Sequence, residues 1–286
     1  MQYWIIQTLN SLALGALLFL LAAGFSLIFG LMRIANLTHG SLYMLGAYLG
    51  VTVLRYVPNL WLAALAAGLA VAVFGALLER LVLRKLGGNV LGQVLVTLGV
   101  SFIIADACLL VWGGDPIPIQ TPALLQRPVQ IAGFVFPAYR LAVVAIAVVV
   151  ALVLFLLMEK TRLGAMIRAG VDDPQMAGAV GIPVSRLFTT VFFLGAALAG
   201  AGGVIGGPIM SAYPGLDADM LPLALIVVIL GGVGSLLGAF AGAFITGFVY
   251  TFGVALLPDL AYVILFLPMI LVIAFRPRGL FGKFAA

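Results

Sequence analysis

The stretch LAVVAIAVVVALVLFLLMEKTRLGAMIRAGVDDPQMAGAVGIPVSRLFTTVFFLGAALAG (141–200) decides how the chain folds. An apolar run, Leu141 to Met158, gives way to a polar island at 159–186, and a second apolar run begins at Leu187. The island holds Glu159, Lys160, Arg162, Arg168, Asp172, Asp173 and Arg186, while its flanks hold no charge at all. The same alternation runs through the whole chain, which is 65% hydrophobic and 8% charged, with a mean hydropathy of +1.30. A soluble domain carries about 25% charged residues, so this chain cannot cover a water-facing surface of ordinary polarity. In lipid the backbone must satisfy itself, which leaves helices or a closed barrel. The runs are too long and too continuous for barrel strands. The expected fold is therefore all-α, a polytopic transmembrane helical bundle. At about 20 residues per span, its 286 residues allow eight to nine membrane segments.

Working outward from the island, the apolar runs are 9–31, 40–57, 60–83, 93–112, 141–158, 187–207, 220–230, 236–257 and 261–275. The run 220–230 is only about 16 Å long as a helix, so it reads as a short or half-helix, and GGVGS (231–235) breaks the chain after it. A proline-bearing polar stretch, 113–140, separates the fourth and fifth runs. The N-terminus lacks the basic segment of a cleaved signal peptide and reads as a retained first span. The whole, 1–286, reads as one transmembrane domain with a loop at 159–186. Cys108 is the one cysteine and lies in an apolar run, so it makes no intramolecular disulfide.

Orientation follows from Lys/Arg placement in short loops. With the island inside, that side holds 11 of the 14: Arg33, Arg80, Arg84, Lys85, Lys160, Arg162, Arg168, Arg186, Arg276, Arg278 and Lys283. Arg55, Arg127 and Arg140 fall outside. This puts the N-terminus outside, the C-terminus inside, and an odd number of crossings between them. The net charge of +5 is explained by the same asymmetry, and with no Lys/Arg run of five or more there is no case for nucleic acid.

Within the island, Asp173 is placed to cap a helix whose first residue is Pro174, where the missing N–H costs nothing. Gly181 is placed to close it, with Pro183 two residues on. A helix at 174–180 in a polar loop, exposing Gln175 and bearing the small residues Ala177, Gly178 and Ala179, suits a docking element that sits in a cleft of another protein. It equally suits a loop helix packed under the bundle. A second polar cluster, Arg33, Asn36, Thr38 and His39, interrupts the first two runs. It reads either as an interfacial hairpin, with Arg33 reaching for phosphates, or as a broken helix dipping to membrane depth, which is tolerated only where it lines a cavity. His39 is the one histidine and has no Cys, Asp or Glu near it in sequence, so no metal site is expected. Asp106 is the carboxylate furthest inside an apolar run and is a pathway candidate on that ground. Asp115, Asp217, Asp219 and Asp259 are expected on the outer side, facing water or a soluble partner. Small residues recur every fourth position at Gly195, Ala199, Gly203, Gly207 and at Gly234, Gly238, Gly242, which signals tight helix contacts or a moving interface. No inverted repeat is visible in the sequence.

Four segments resemble one family. TRLGAMIRAGVDDPQMAGAVGI (161–182) is similar to the cytoplasmic loop of the permeases of branched-chain amino acid ABC importers, with Thr161, Gly164, Arg168, Ala169, Asp173, Ala177, Gly181 and Ile182 in register. GFSLIFGLMRIANLTHGSLYMLGAY (24–48), LGGVGSLLGAFAGAF (230–244) and FRPRGLFG (275–282) agree as well. The Asn-x-x-His-Gly element at 36–40 resembles the shorter, H-type permease, although Leu37-Thr38 departs from the common pattern there. The resemblance implies coupling to ATPases through Thr161, Gly164, Arg168, Asp173, Pro174, Ala177 and Gly181. It also implies a second permease subunit, two cytoplasmic ATPases, an extracytoplasmic solute-binding protein and residence in a bacterial-type inner membrane. This chain has no phosphate-binding G-x-x-x-x-G-K-[ST], so no cofactor is expected in it; ATP and Mg would belong to the partners. Pathway candidates are Asn36, Thr38, His39, Asp106, Gly231, Gly232 and Ser235.

The expected function is the permease subunit of an importer for branched-chain or other small amino acids. Permeases of the same family for urea, amides or another small polar solute are the alternative, and a stand-alone secondary transporter is a weaker one, because few intramembrane ionisable groups are present to couple to ions. An intramembrane enzyme fits poorly: Asp172-Asp173, the one acidic pair, precedes a proline in a loop.

Overall fold

The computed structural model describes residues 2–32, 36–131 and 133–282. The helices are α1 Gln2–Met32, α2 Thr38–Tyr56, α3 Leu60–Leu81, α4 Val90–Trp112, α5 Ala138–Lys160, α6 Arg162–Asp172, α7 Pro174–Ala179, α8 Val184–Met210, α9 Leu216–Gly231, α10 Leu236–Leu256 and α11 Ala261–Phe275. Six of them, α1, α3, α4, α5, α8 and α10, are long and apolar enough to cross a membrane. The 113–140 stretch folds into a small antiparallel hairpin, β1 Val129–Ile131 and β2 Phe134–Phe136, turning at Gly133.

Local sequence sets the starts. Side-chain caps open α3 (Asn59), α4 (Asn89), α6 (Thr161), α7 (Asp173) and α10 (Ser235), each accepting from N–H groups of the first turn. Contacts then separate two ends of the bundle. At one, Arg84 reaches Ser185 and Thr189, Gly170 lies against Leu31 and Leu187, and the 276–282 tail pairs with the end of α9. This end carries nine of the 11 basic residues grouped from sequence; Arg33 and Lys283 lie outside the described residues. It is called here the basic end. The other, with β1–β2, the Ile117–Ala212 bridge and the Arg140–Asn10 bond, is the hairpin end.

Helix α1 is central, with 83% of its apolar window buried, against 22% for α4 and α5 at the rim. Close approach is made by glycine. A Cβ on Gly24 would strike the backbone of Gly195, one on Gly46 that of Gly200, and one on Gly30 that of Gly234. The small-residue stripes are therefore backbone contacts among α1, α2, α8 and the 231–235 turn.

The chain path has a hidden regularity. α1 runs to the basic end, and α2 starts part-way up and runs to the hairpin end. α8 runs to the hairpin end, the chain turns back, and α9 starts part-way down and runs to the basic end. α3 then packs mainly along α8, and α10 mainly along α1. The two halves are opposite in sense and exchange helices.

Candidate functional site

The starts of α2 and α9 meet inside the bundle. Leu21, eleven residues before the end of α1, lies about 16 Å from the basic end, near the middle of a hydrocarbon core about 30 Å thick. Its carbonyl accepts from His39 Nε2 at 3.0 Å, so His39 sits at that depth. Asn36, Thr38, His39 and Ser41 are all buried, none more than 3% exposed. The interfacial-hairpin reading of residues 36–41 is thereby set aside; Arg33 itself lies outside the described residues.

Each polar group has a structural task. Asn36 Oδ1 accepts from Thr38 N, the first N–H of α2, at 3.1 Å. Thr38 Oγ1 donates to the carbonyl of Thr97 at 2.9 Å, and Leu37 N donates to Thr97 Oγ1 at 3.3 Å. Ser41 Oγ lies 2.6 Å from Ser101 Oγ and donates to Asp217 Oδ2 at 2.9 Å. A Cβ on Gly40 would meet the carbonyl oxygen of Asp217 at 2.7 Å, so the two helix starts touch there. α9 begins at Gly215, whose φ of +96° favours glycine. Asp217 lies in its first turn, where the helix dipole favours a negative charge. With Nε2 donating, His39 Nδ1 is left as an acceptor. It and Asn36 Nδ2 have no partner among the described residues. Such orphans in a buried site are rare and offer one acceptor and one donor to a visiting polar molecule.

At the basic end the island holds two helices, not one. Thr161 Oγ1 accepts from Gly164 N at 3.1 Å and donates to the Leu157 carbonyl at 2.6 Å. Gly164 is pressed against the carbonyls of Leu157 and Met158, and Arg168 donates to the Met158 carbonyl. These three residues build the corner between α5 and α6. Asp173 then accepts from Gln175 N and Met176 N, both at 2.9 Å, with Pro174 as the first residue of α7. Gly181 at φ +89° and the bonds Gly181 N to Gly178 O and Ile182 N to Ala177 O close it in a Schellman motif. α7 exposes Gln175, Met176, Ala179 and Val180, while Ala177 is buried.

The sequence matches the family model described as branched-chain amino acid transport system, permease component, over residues 7–273. The chain belongs to that family. The permease is 30% identical to the high-affinity branched-chain amino acid transport system permease protein BraD of Pseudomonas aeruginosa, covering 98% of this chain and 96% of that one. It is 27% identical to LivH of Escherichia coli K12, also named a high-affinity branched-chain amino acid transport system permease protein, with the same coverage. It is 28% identical to the fructose import permease protein FrcC of Rhizobium meliloti over 63% of this chain and 53% of that one. No solved structure matches. The family is one of transport permeases, components of larger transport systems, and the fold is a polytopic helical membrane bundle as the sequence implied.

Of the pathway candidates, the permease brings Asn36, Thr38 and His39 together. Gly231, Gly232 and Ser235 lie apart, at the basic end: Ser235 caps α10, and the tail donates from Leu280 N and Phe281 N to the carbonyls of Leu230 and Gly231. The second break at the cluster is instead 211–216, because the 16 residues of α9 carry the chain from the cluster to the basic end. Asp106 is on the exposed face of α4 and does not join the cluster. Asp217, expected in an outer loop, is hydrogen-bonded inside. Ala177, grouped with the docking residues from sequence, turns inward, and Met176 and Val180 take the outward positions. The sequence reading also missed Ser41, Thr97 and Ser101. Gln93, Thr97 and Ser101 recur every fourth residue and are all buried, so a polar stripe down α4 was the available signal. It missed, too, buried Glu79, which accepts from Arg84 at 2.9 Å and Thr189 at 2.7 Å and braces α3 against the start of α8 beside the island. Among the described residues no group of His, Cys, Asp and Glu is arranged to hold a metal.

Proposed function

We propose that this chain is one membrane subunit of an ATP-driven importer for branched-chain amino acids. The observation that carries the reading is near full-length similarity to BraD and LivH, joined to a capped, outward-facing helix in the charged loop 159–186. In this reading the basic end faces the cytoplasm, the N-terminus is outside and the C-terminus inside, in a bacterial-type inner membrane. Of two cytoplasmic ATPases, which bind ATP and Mg, one receives α7 in a groove against Met176 and Val180. A second permease completes the membrane part, and an extracytoplasmic binding protein delivers solute at the hairpin end. The polar cluster around Asn36, Thr38 and His39 lines the route or its gate, where neutral groups and backbone dipoles handle a zwitterion without a buried unpaired charge.

Reconstitution with the subunits encoded beside it tests this: leucine uptake should require ATP, both ATPases and the binding protein. Met176→Glu with Val180→Glu should abolish uptake and stimulated ATP hydrolysis while leaving the permease in the membrane; full coupling in that variant refutes the docking face. An impermeant thiol reagent that labels Gln175→Cys from outside intact cells refutes the orientation. The partial match to a fructose permease favours a second reading, in which the solute is another small polar molecule. A ligand screen of the cognate binding protein separates the two.

A further inference from the structure

At the hairpin end, α1, α5, α8 and α10 line an open cavity of about 520 Å³. That is within the range of small-molecule sites, about 300–1,000 Å³. Its lining includes Tyr3, Gln7, Asn10 and Leu17 of α1, Arg140 of α5 and Thr251 of α10. From Tyr3 to Leu17 it follows α1 for about 21 Å. Leu17 is one helical turn from Leu21, whose carbonyl holds His39. The cavity therefore runs from the mouth of the bundle to the level just above the polar cluster.

Its chemistry is one-sided. Arg140 is the one charged residue in the lining. Its guanidinium donates to Asn10 Oδ1, and Asn10 Nδ2 donates to Gln7 Oε1 at 3.3 Å. The guanidinium keeps further N–H groups and Gln7 its amide N–H groups, and no carboxylate in the lining competes for them. A fixed fork of donors suits a carboxylate, and the apolar wall formed by Leu17 and Met210 suits an aliphatic body.

We propose that this cavity is the entry site for the solute, with Arg140 binding the carboxylate of an aliphatic amino acid and the Leu17–Met210 wall taking its side chain. The assignment rests on the amino-acid reading above. A phospholipid phosphate has the same head-and-tail chemistry, and the test separates the two.

In the assembled importer, with Cys108→Ser and Thr251→Cys, an anionic methanethiosulfonate should label position 251 about ten times faster than a cationic one, the ratio a charge-assisted bond supports. Arg140→Gln should remove that preference and Arg140→Lys restore most of it, which a purely structural tie to Asn10 does not predict. Millimolar leucine should slow the anionic reagent in vesicles of phosphatidylcholine alone. Protection by added phosphatidylglycerol but not by leucine makes the cavity a lipid site and overturns the proposal, as does labelling indifferent to Arg140. In uptake, Arg140→Gln should raise the KM for leucine about tenfold with ATPase association unchanged. A wild-type importer that takes up no branched-chain amino acid refutes the functional reading itself. Arg140-independent labelling beside normal leucine uptake refutes only this site.

Discussion

α1 ends at Met32 at the basic end, and the described chain resumes at Asn36 inside the bundle, where α2 starts. At 211–217 the chain leaves α8 at the hairpin end and re-enters to start α9. Both new helices begin near mid-depth and touch at Gly40 and Asp217. The furnishings differ. The described part of the first turn is neutral and buried, with Thr38 and Ser41 tied to α4 and His39 to α1. The second brings an acid: Asp217 is half-buried, accepts from Ser41, and gains from the α9 dipole, and Asp219 is exposed and accepts from Tyr213 at 2.7 Å. A charge at mid-depth is tolerable when a helix start and a hydroxyl both address it. The first turn fixes geometry and the second supplies charge, so substitutions in the two should fail differently.

The largest effect is expected where they touch. Gly40→Leu drives a side chain into the Asp217 carbonyl and Leu221. It should cost about 3 kcal/mol or more and be seen as loss of monodisperse permease in detergent. If Gly40→Leu is as stable as wild type, the two helix starts do not meet. Next is Asp217→Leu, which takes from Ser41 its charged acceptor and should cost about 2–3 kcal/mol, read as a lowered midpoint of thermal unfolding; Asp217→Asn keeps an acceptor and should recover most of it. A smaller stability effect belongs to His39→Leu, about 1 kcal/mol for the lost bond to Leu21, accompanied by loss of uptake with ATPase binding intact. Equal losses of stability from His39→Leu and Asp217→Leu would erase the distinction between the turns. Ser101→Ala, with Asp217 still able to hold Ser41, should be the mildest, at about 1 kcal/mol or less.

Much of this was legible in the sequence. The apolar runs fix the helices because hydrocarbon permits little else, and α7 could be placed to within a residue from Asp173, Pro174 and Gly181 alone. α6 was not seen, because its cap, Thr161, precedes a short amphipathic stretch inside what reads as a polar loop. Depth was the main loss. Local sequence shows that a helix breaks at 33–40, but only the bond from His39 to Leu21, eighteen residues away in sequence, shows how far the chain re-enters. The break that meets it was not legible for the same reason: GGVGS is conspicuous, whereas SAYPG (211–215) looks like an ordinary loop. The repeat of opposite sense was invisible because it resides in directions and packing. That Ala177 turns inward was not legible because six residues do not reveal which side of a helix rests on its own protein.

The meeting of the two turns is tested most directly by a pair of cysteines. In a Cys108→Ser background, Ser41→Cys and Asp217→Cys should form an intramolecular disulfide readily under mild oxidation, in the membrane and in the assembled importer, as a mobility shift reversed by reductant. Asp217→Cys that instead reacts freely with an impermeant reagent from the hairpin side, while Ser41→Cys stays unreactive and no crosslink forms, would return residue 217 to an outer loop and contradict the account.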